Sequence, residues 1–133
     1  MESTAKQIKS LQNKGFDIQH ICRTDREGFK AGALKEGLKI AKGEFIAIFD
    51  ADFLPKPDWL KRTIPFFKDG EIGVVQTRWG HINRDYSVLT KVQAFALDAH
   101  FTLEQVGRSS KGHFINFNGT AGVWRKDCIL DAG

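Results

Sequence analysis

Asp50-Ala51-Asp52 is the tripeptide of this sequence best equipped for chemistry. It directly follows Phe45-Ile46-Ala47-Ile48-Phe49, a short apolar run that reads as a strand. In an extended backbone, side chains two residues apart leave on the same side, so both carboxylates would face one space. The C-terminal ends of strands are also where open α/β sheets hold their ligands. Two hard oxygen donors there suit Mg²⁺ or Mn²⁺, which keep waters and bind through one or two carboxylates plus substrate phosphates. Such a cation would neutralise charge developing on a diphosphate leaving group. A like-charged pair in a crowded strand end otherwise repels itself. The tripeptide alone also fits a solvated turn after a strand.

A second group of residues could hold a nucleotide. Lys30 opens a helical stretch in Gly28-Phe29-Lys30-Ala31-Gly32-Ala33-Leu34. A helix start offers free N–H groups and the positive end of the dipole, and lysine adds a point charge, so phosphate fits there. A surface lysine at a helix start fits too. Small residues at 31–33 would allow a ligand or another chain to come close, and Arg23, Asp25 and Arg26 beside them read as ligand-facing or simply solvated. Further along, Asn118-Gly119-Thr120 is a polar, glycine-bearing step between Phe117 and Ala121-Gly122. It could offer amide and backbone groups to a sugar hydroxyl, or be a plain hairpin turn. His100 and Glu104, four apart, suit an ion pair or hydrogen bond rather than a metal. His20, His81 and His113 share no ligand spacing, and Trp79 and Trp124 could stack on sugars or pack in a core.

The elements that must position these residues alternate in type. Residues 3–13 read as a polar helix with Ile8 and Leu11 on its buried side, stopped by Gly15. Residues 16–22 alternate enough to be a strand, and 29–42 form a helix with Leu34, Leu38 and Ala41 on one face. The run at 45–49 has the near-continuous apolar character of a strand buried on both faces of a parallel sheet. After Pro55 and Pro57, Asp58 can cap a helix to about residue 68, and 72–77 is another strand. Residues 87–105 carry the strongest period, with Val88, Val92, Phe95, Ala99 and Val106 in one stripe. Strand, helix, strand, helix, strand argues for an open α/β sheet covered on both sides. A chain that starts on a helix and stops just after a helix cap reads as cut at both ends.

Length, charge and composition narrow the function classes. One hundred and thirty-three residues fit one small domain, and 41% apolar residues suffice for a core. A net charge of +4 favours anionic partners, but no Lys/Arg run is long enough for a nucleic-acid patch. Cys22 and Cys128 make no disulfide framework and no zinc spacing. The longest uninterrupted apolar run has 5 residues, far short of a membrane span, and the N-terminus lacks the apolar core of a secretory signal. The 133 residues are therefore expected to be soluble.

Four motifs then add up. Lys30-Ala31-Gly32-Ala33-Leu34, Asp50-Ala51-Asp52, Val75-Gln76-Thr77-Arg78-Trp79 and Phe117-Asn118-Gly119-Thr120-Ala121-Gly122-Val123-Trp124-Arg125 occur in one order. Over residues 15–133 the sequence resembles glycosyltransferase family 2. The likeness is closest to the cellulose-synthase-like group, with its β-mannan/glucomannan and xyloglucan-backbone synthases. That resemblance implies a GT-A (Rossmann-like) α/β fold, of which residues 1–133 would be the central part of a catalytic domain. It also implies polysaccharide synthesis by inverting transfer of a hexose from a UDP- or GDP-sugar to a β-glycan acceptor. The work would be done at the cytosolic face of a membrane by a membrane-embedded parent protein.

Carried over by motif, Lys30 would contact the nucleotide diphosphate. Asp50 would contact the nucleotide sugar, and Asp52 would bind Mg²⁺ or Mn²⁺, the two aspartates being the catalytic pair. Phe117, Asn118, Gly119 and Thr120 would lie against the acceptor, with the helix at 100–105 leading toward them. The family's first acidic motif, its Thr-Glu-Asp motif with the catalytic base, its Gln-x-x-Arg-Trp motif and its membrane helices have no counterpart here. Gln76-Thr77-Arg78-Trp79 is one residue too short to be the acceptor motif. Because inverting transfer needs a base, these 133 residues are expected to be inactive alone. Unmet neighbours would leave a sheet edge and an apolar face open to self-association. Two other readings remain at this stage. One is a non-catalytic nucleotide- or anion-binding module. The other is Asp-x-Asp phosphoryl transfer, against which Phe53-Leu54-Pro55 stands where a Gly-Thr-like pair usually follows.

Overall fold

The computed structural model describes residues 2–105, 107, 110 and 116–132. His113 and Phe114 lie outside the described residues, as do the side chains of Glu104 and Gln105. The chain divides into two compact units, Met1–Lys42 and Gly43–Gly133.

In the first unit, helix α1 (Glu2–Asn13) ends where Gly15 turns left-handed at φ 87°, a conformation that costs glycine nothing. Ile8 is half-buried as expected, but Leu11 is exposed. Residues 16–22 are not the expected strand. Their backbone hydrogen bonds are local, Ile18 N–H to the Phe16 carbonyl at 3.0 Å and the Gln12 side chain to the Ile18 carbonyl at 2.8 Å. Alternation alone cannot make a strand, because a strand needs a neighbour to pair its backbone groups. Helix α2 (Phe29–Ile40) starts from left-handed Gly28 and ends at extended Ala41, two residues short of the expected end. Of its apolar face, Leu34 is exposed while Leu38 and Ala41 are half-buried.

The second unit is built on a three-stranded sheet. Strand β1 (Phe45–Ile48) leads to helix α3 (Trp59–Thr63), a 3₁₀ stretch (Ile64–Lys68) and strand β2 (Val74–Gln76). Helix α4 (Val88–Ala99) widens into π turns over His100–Gln105, and strand β3 (Gly122–Arg125) runs straight into helix α5 (Lys126–Ala132). The strand order is β1-β3-β2, with both pairings antiparallel: Ile46 faces Trp124, and Val75 faces Val123. This corrects the expectation of parallel neighbours. β1 and β2 do point the same way, but β3 enters between them from far along the chain. Sequential strands are neighbours often enough to mislead a reading of element order. Nor is β1 buried on both faces, since Ala47 is exposed and only Ile48 is buried.

The core lies under β3, where Ala121 and Val123 are wholly buried and join Ile48 and Phe67. Arg125 closes its lower end. Its guanidinium lies 5.4 Å and 5.5 Å from the Phe45 and Phe67 ring centres, donates to the Phe67 carbonyl at 2.9 Å and pairs with Glu44 at 3.2 Å. Asp58 does precede α3, yet its side chain caps no backbone N–H and faces Arg62 at 3.8 Å. Ser87, in contrast, caps α4 through a capping box with Thr90. The apolar stripe of α4 is a further correction: Val88, Val92 and Phe95 are exposed, and Ala94 is the buried residue. Periodicity marks an apolar stripe but does not say what covers it.

Candidate functional site

The acidic tripeptide sits where β1 ends, but not in extended form. The chain turns at Asp50, with Phe53 N–H donating to the Asp50 carbonyl at 3.1 Å. Phe49 anchors the turn by stacking on Phe53 at 5.0 Å and tilting against Trp59 at 4.7 Å. Asp50 and Asp52 nonetheless line one cleft, so a turn does what extended backbone was expected to do. The cleft has a volume of about 1050 Å³ and also takes in Lys56, Asp58, Trp59, Arg62, Gln76, Thr77, Arg78, Trp79, His81 and Thr120. Both aspartates are exposed. Among the described residues no group of three or more His, Cys, Asp or Glu converges on a point. Two open carboxylates beside cationic side chains fit a divalent ion that completes its shell with waters and substrate phosphates. They do not fit a closed, all-protein metal cage.

Three cations line the same cleft, and two are held in exposed ion pairs: Arg62 with Asp58, and Arg78 with Asp98 at 2.6 Å. The third is Lys56. Their positive field suits a diphosphate. Trp79 lies in the wall with its ring edge-on to Phe101 at 6.2 Å and to His81 at 5.8 Å. It is therefore fixed by packing.

The 117–120 step is not a hairpin turn. It carries the chain into β3 and is tied down on the way. Asn118 N–H donates to Gln76 Oε1 at 3.1 Å, Gln76 Nε2 donates to the Thr120 carbonyl at 3.1 Å, and Thr120 Oγ1 accepts from Asp50 N–H at 2.9 Å. Thr77 hydrogen-bonds the Ala121 carbonyl through both its N–H (3.0 Å) and its hydroxyl (2.6 Å), and that hydroxyl accepts from Trp59 Nε1 at 3.1 Å. Ala121 is held left-handed at φ 55° inside this net. Phe117 packs on Trp124 at 5.3 Å, against Gly122, where any larger residue would collide with its ring. Of the four residues expected at the acceptor, only Thr120 is in the cleft wall. The sequence left Gln76, Thr77 and Trp59 without a role. For Gln76 and Thr77 the one signal was the 75–79 motif, whose types fit hydrogen bonding but whose partners at 118–121 lie more than forty residues away; Trp59 had none.

Lys30 lies in the first unit, exposed on the first turn of α2. The groups beside it are structural. Arg23 donates to the Glu27 carbonyl at 2.8 Å and the Phe29 carbonyl at 2.9 Å, and Asp25 accepts from Glu27 N–H at 3.0 Å. The Glu27 carbonyl and the Arg23 guanidinium pack close against Gly32. His100 packs edge-on to Phe101 at 5.6 Å. No described helix is long and apolar enough to cross a membrane.

An open cleft at a strand end, with an acidic pair and cationic flanks, is the kind of site a sugar-nucleotide enzyme uses. The sequence model of Glycosyl transferase family 2 matches residues 1–129. The chain therefore belongs to glycosyltransferase family 2, whose α/β domain has the GT-A, Rossmann-like fold. Its similar proteins are of the cellulose-synthase-like group. Glucomannan 4-beta-mannosyltransferase 1 of Oryza sativa subsp. japonica is 50% identical over 125 residues, 91% of this chain and 24% of that protein. Glucomannan 4-beta-mannosyltransferase 2 of Arabidopsis thaliana is 46% identical over 141 residues, 99% of this chain and 26% of that protein. Glucomannan 4-beta-mannosyltransferase 1 of Cyamopsis tetragonoloba is 48% identical over 124 residues, 90% of this chain and 24% of that protein. The chain thus spans about a quarter of the length of the curated relatives it matches. No solved structure matches it. A divalent cation is typical of the family.

Proposed function

We propose that residues 1–133 carry the donor side of an inverting, metal-dependent hexosyltransferase that extends a β-glycan from a UDP- or GDP-sugar. The observation that carries this reading is the placement of Asp50 and Asp52 in one cleft with Lys56, Arg62 and Arg78. Asp52 holds Mg²⁺ or Mn²⁺, and Asp50 contacts the nucleotide sugar. The cation, when bound, offsets charge on the departing diphosphate. Lys30 is assigned to the nucleotide diphosphate, and residues 117–120 to the acceptor end. The names of the relatives favour a mannosyl group and a glucomannan acceptor. The base that deprotonates the attacking hydroxyl is assigned to chain beyond these 133 residues, so they do not complete transfer alone. The parent protein is placed at the cytosolic face of a membrane, and the exposed stripe on α4 supports self-association of the isolated chain.

The test is an NMR titration of the ¹⁵N-labelled chain with Mn²⁺, with and without UDP or GDP. Paramagnetic broadening centred on residues 50–53, strengthened by one nucleotide and abolished by Asp52→Asn, is the expected result. Broadening that ignores both nucleotides, or survives Asp52→Asn, sinks the reading.

A further inference from the structure

The acidic turn is not held in place by its neighbours in sequence alone. Its first backbone N–H, that of Asp50, is taken by the hydroxyl of Thr120 at 2.9 Å, a residue seventy positions away that is only 4% exposed. Thr120 is placed in turn by Gln76 at the end of β2. Gln76 accepts from Asn118 N–H at 3.1 Å through Oε1 and donates to the Thr120 carbonyl at 3.1 Å through Nε2, so its carboxamide brackets the 118–120 step. A carboxamide is a neutral side chain that can satisfy a backbone donor and a backbone acceptor at once, through two separate atoms. The linkage runs from β2, through the loop entering β3, to Asp50, just beyond the end of β1. Neither Gln76 nor Thr120 carries a charge or a proton of use in sugar transfer.

We propose that Gln76 and Thr120 are positioning residues for the metal-donor site. Gln76 sets the 118–120 step, and the Thr120 hydroxyl passes that placement to Asp50 N–H. The loop assigned to the acceptor thereby holds the acidic turn in the form that takes a divalent cation with a diphosphate. The inference rests on the donor-site reading above. Groups that orient metal ligands without touching the metal commonly change affinity by about 10–100-fold when removed.

The experiment compares the 133-residue chain with Gln76→Glu, Thr120→Val and Thr120→Ser. It has two readouts, hydrogen exchange of the Asp50 amide and the affinity for Mn²⁺ with GDP and, separately, with UDP. Gln76→Glu keeps an acceptor for Asn118 but loses the donor to Thr120. Thr120→Val keeps the shape and loses the hydroxyl. Exchange at Asp50 is expected to quicken by about tenfold in both, the worth of one hydrogen bond. Mn²⁺-nucleotide affinity should fall by about tenfold or more in both, with both readouts near wild type in Thr120→Ser. If Gln76→Glu does not fold, the near-isosteric pair at Thr120 decides alone. Wild-type affinity in folded Gln76→Glu and Thr120→Val, with the wild-type chain binding Mn²⁺ and nucleotide, overturns the positioning roles and leaves the donor site standing. No binding by the wild-type chain overturns the donor reading, and this inference with it.

Discussion

Two residues other than glycine adopt left-handed backbone among those described, and each sits beside a stretch expected to meet the nucleotide sugar or its acceptor. Phe29, at φ 44°, opens α2 next to Lys30; Ala121, at φ 55°, follows Thr120. Such conformations cost about 1–3 kcal/mol and persist only where the surroundings over-determine them. In both cases the carbonyl of the strained residue is seized by a side chain, Phe29 by Arg23 and Ala121 by Thr77. The difference lies in reach and burial. Arg23 acts across six positions on the carbonyl of a residue that is 80% exposed, whereas Thr77 acts across forty-four on that of a residue with no exposure at all. Strain at Phe29 can be held by a loop closing on itself. Strain at Ala121 can be held only after β2 and β3 have paired. The acidic turn therefore depends on the whole sheet, and the Lys30 turn on its own few residues.

The largest effect should come from breaking the long-range side. Thr77→Val keeps volume but removes the hydroxyl, one of two Thr77 donors to the Ala121 carbonyl and the acceptor for Trp59 Nε1, so the indole N–H loses that partner. Destabilisation of about 1–3 kcal/mol is expected, read as a lower urea midpoint at unchanged m-value. A midpoint within error of wild type would mean that the net around Ala121 is incidental.

The same division explains what was legible in the sequence. Helices α1, α2 and α4 and strands β1 and β2 announce themselves through period, caps and glycine stops, all local signals. The acidic pair was found because two carboxylates after an apolar run are adjacent in the chain. The pairing order was not legible, because β3 enters between β1 and β2 from about fifty residues downstream of β2 and nothing in its four residues says so. For the same reason Gln76 and Thr120 were visible only as members of motifs. Their partners are set by register, in which Val74 faces Trp124 and Gln76 faces Gly122. Residues 16–22 erred in the opposite direction, having the alternation of a strand but, among the described residues, only local backbone hydrogen bonds.

A smaller effect is expected on the local side. Arg23→Met preserves the aliphatic stem, which is largely buried with the side chain 18% exposed, and removes the two hydrogen bonds to Glu27 and Phe29. The first turn of α2 should open more readily, by about 1 kcal/mol, seen as faster amide exchange at Gly32, whose N–H bonds the Gly28 carbonyl at 2.9 Å. Amides of β3 should be untouched. If exchange in β3 quickens as well, the Lys30 turn is not local and the contrast with the acidic turn collapses.

The smallest structural effect, and the sharpest division of roles, belongs to Lys30→Gln. Lys30 is exposed on a helix whose first turn is already organised by Arg23, so replacing its charge should shift stability by no more than about 0.5 kcal/mol. Its assigned role is electrostatic, as a point charge beside free N–H groups at a helix start. Affinity for Mn²⁺ with GDP or UDP should then weaken several-fold, and the loss should shrink as ionic strength rises, because an exposed charge is screened over about 10 Å at 0.1 M salt. Asp52→Asn in the same assay should abolish localised metal binding at any ionic strength. If Lys30→Gln instead leaves nucleotide affinity unchanged while the acidic turn still binds Mn²⁺ and nucleotide, then Arg23 organises a helix start and nothing more. The donor phosphates would in that case be answered from the cleft, by Lys56, Arg62 and Arg78.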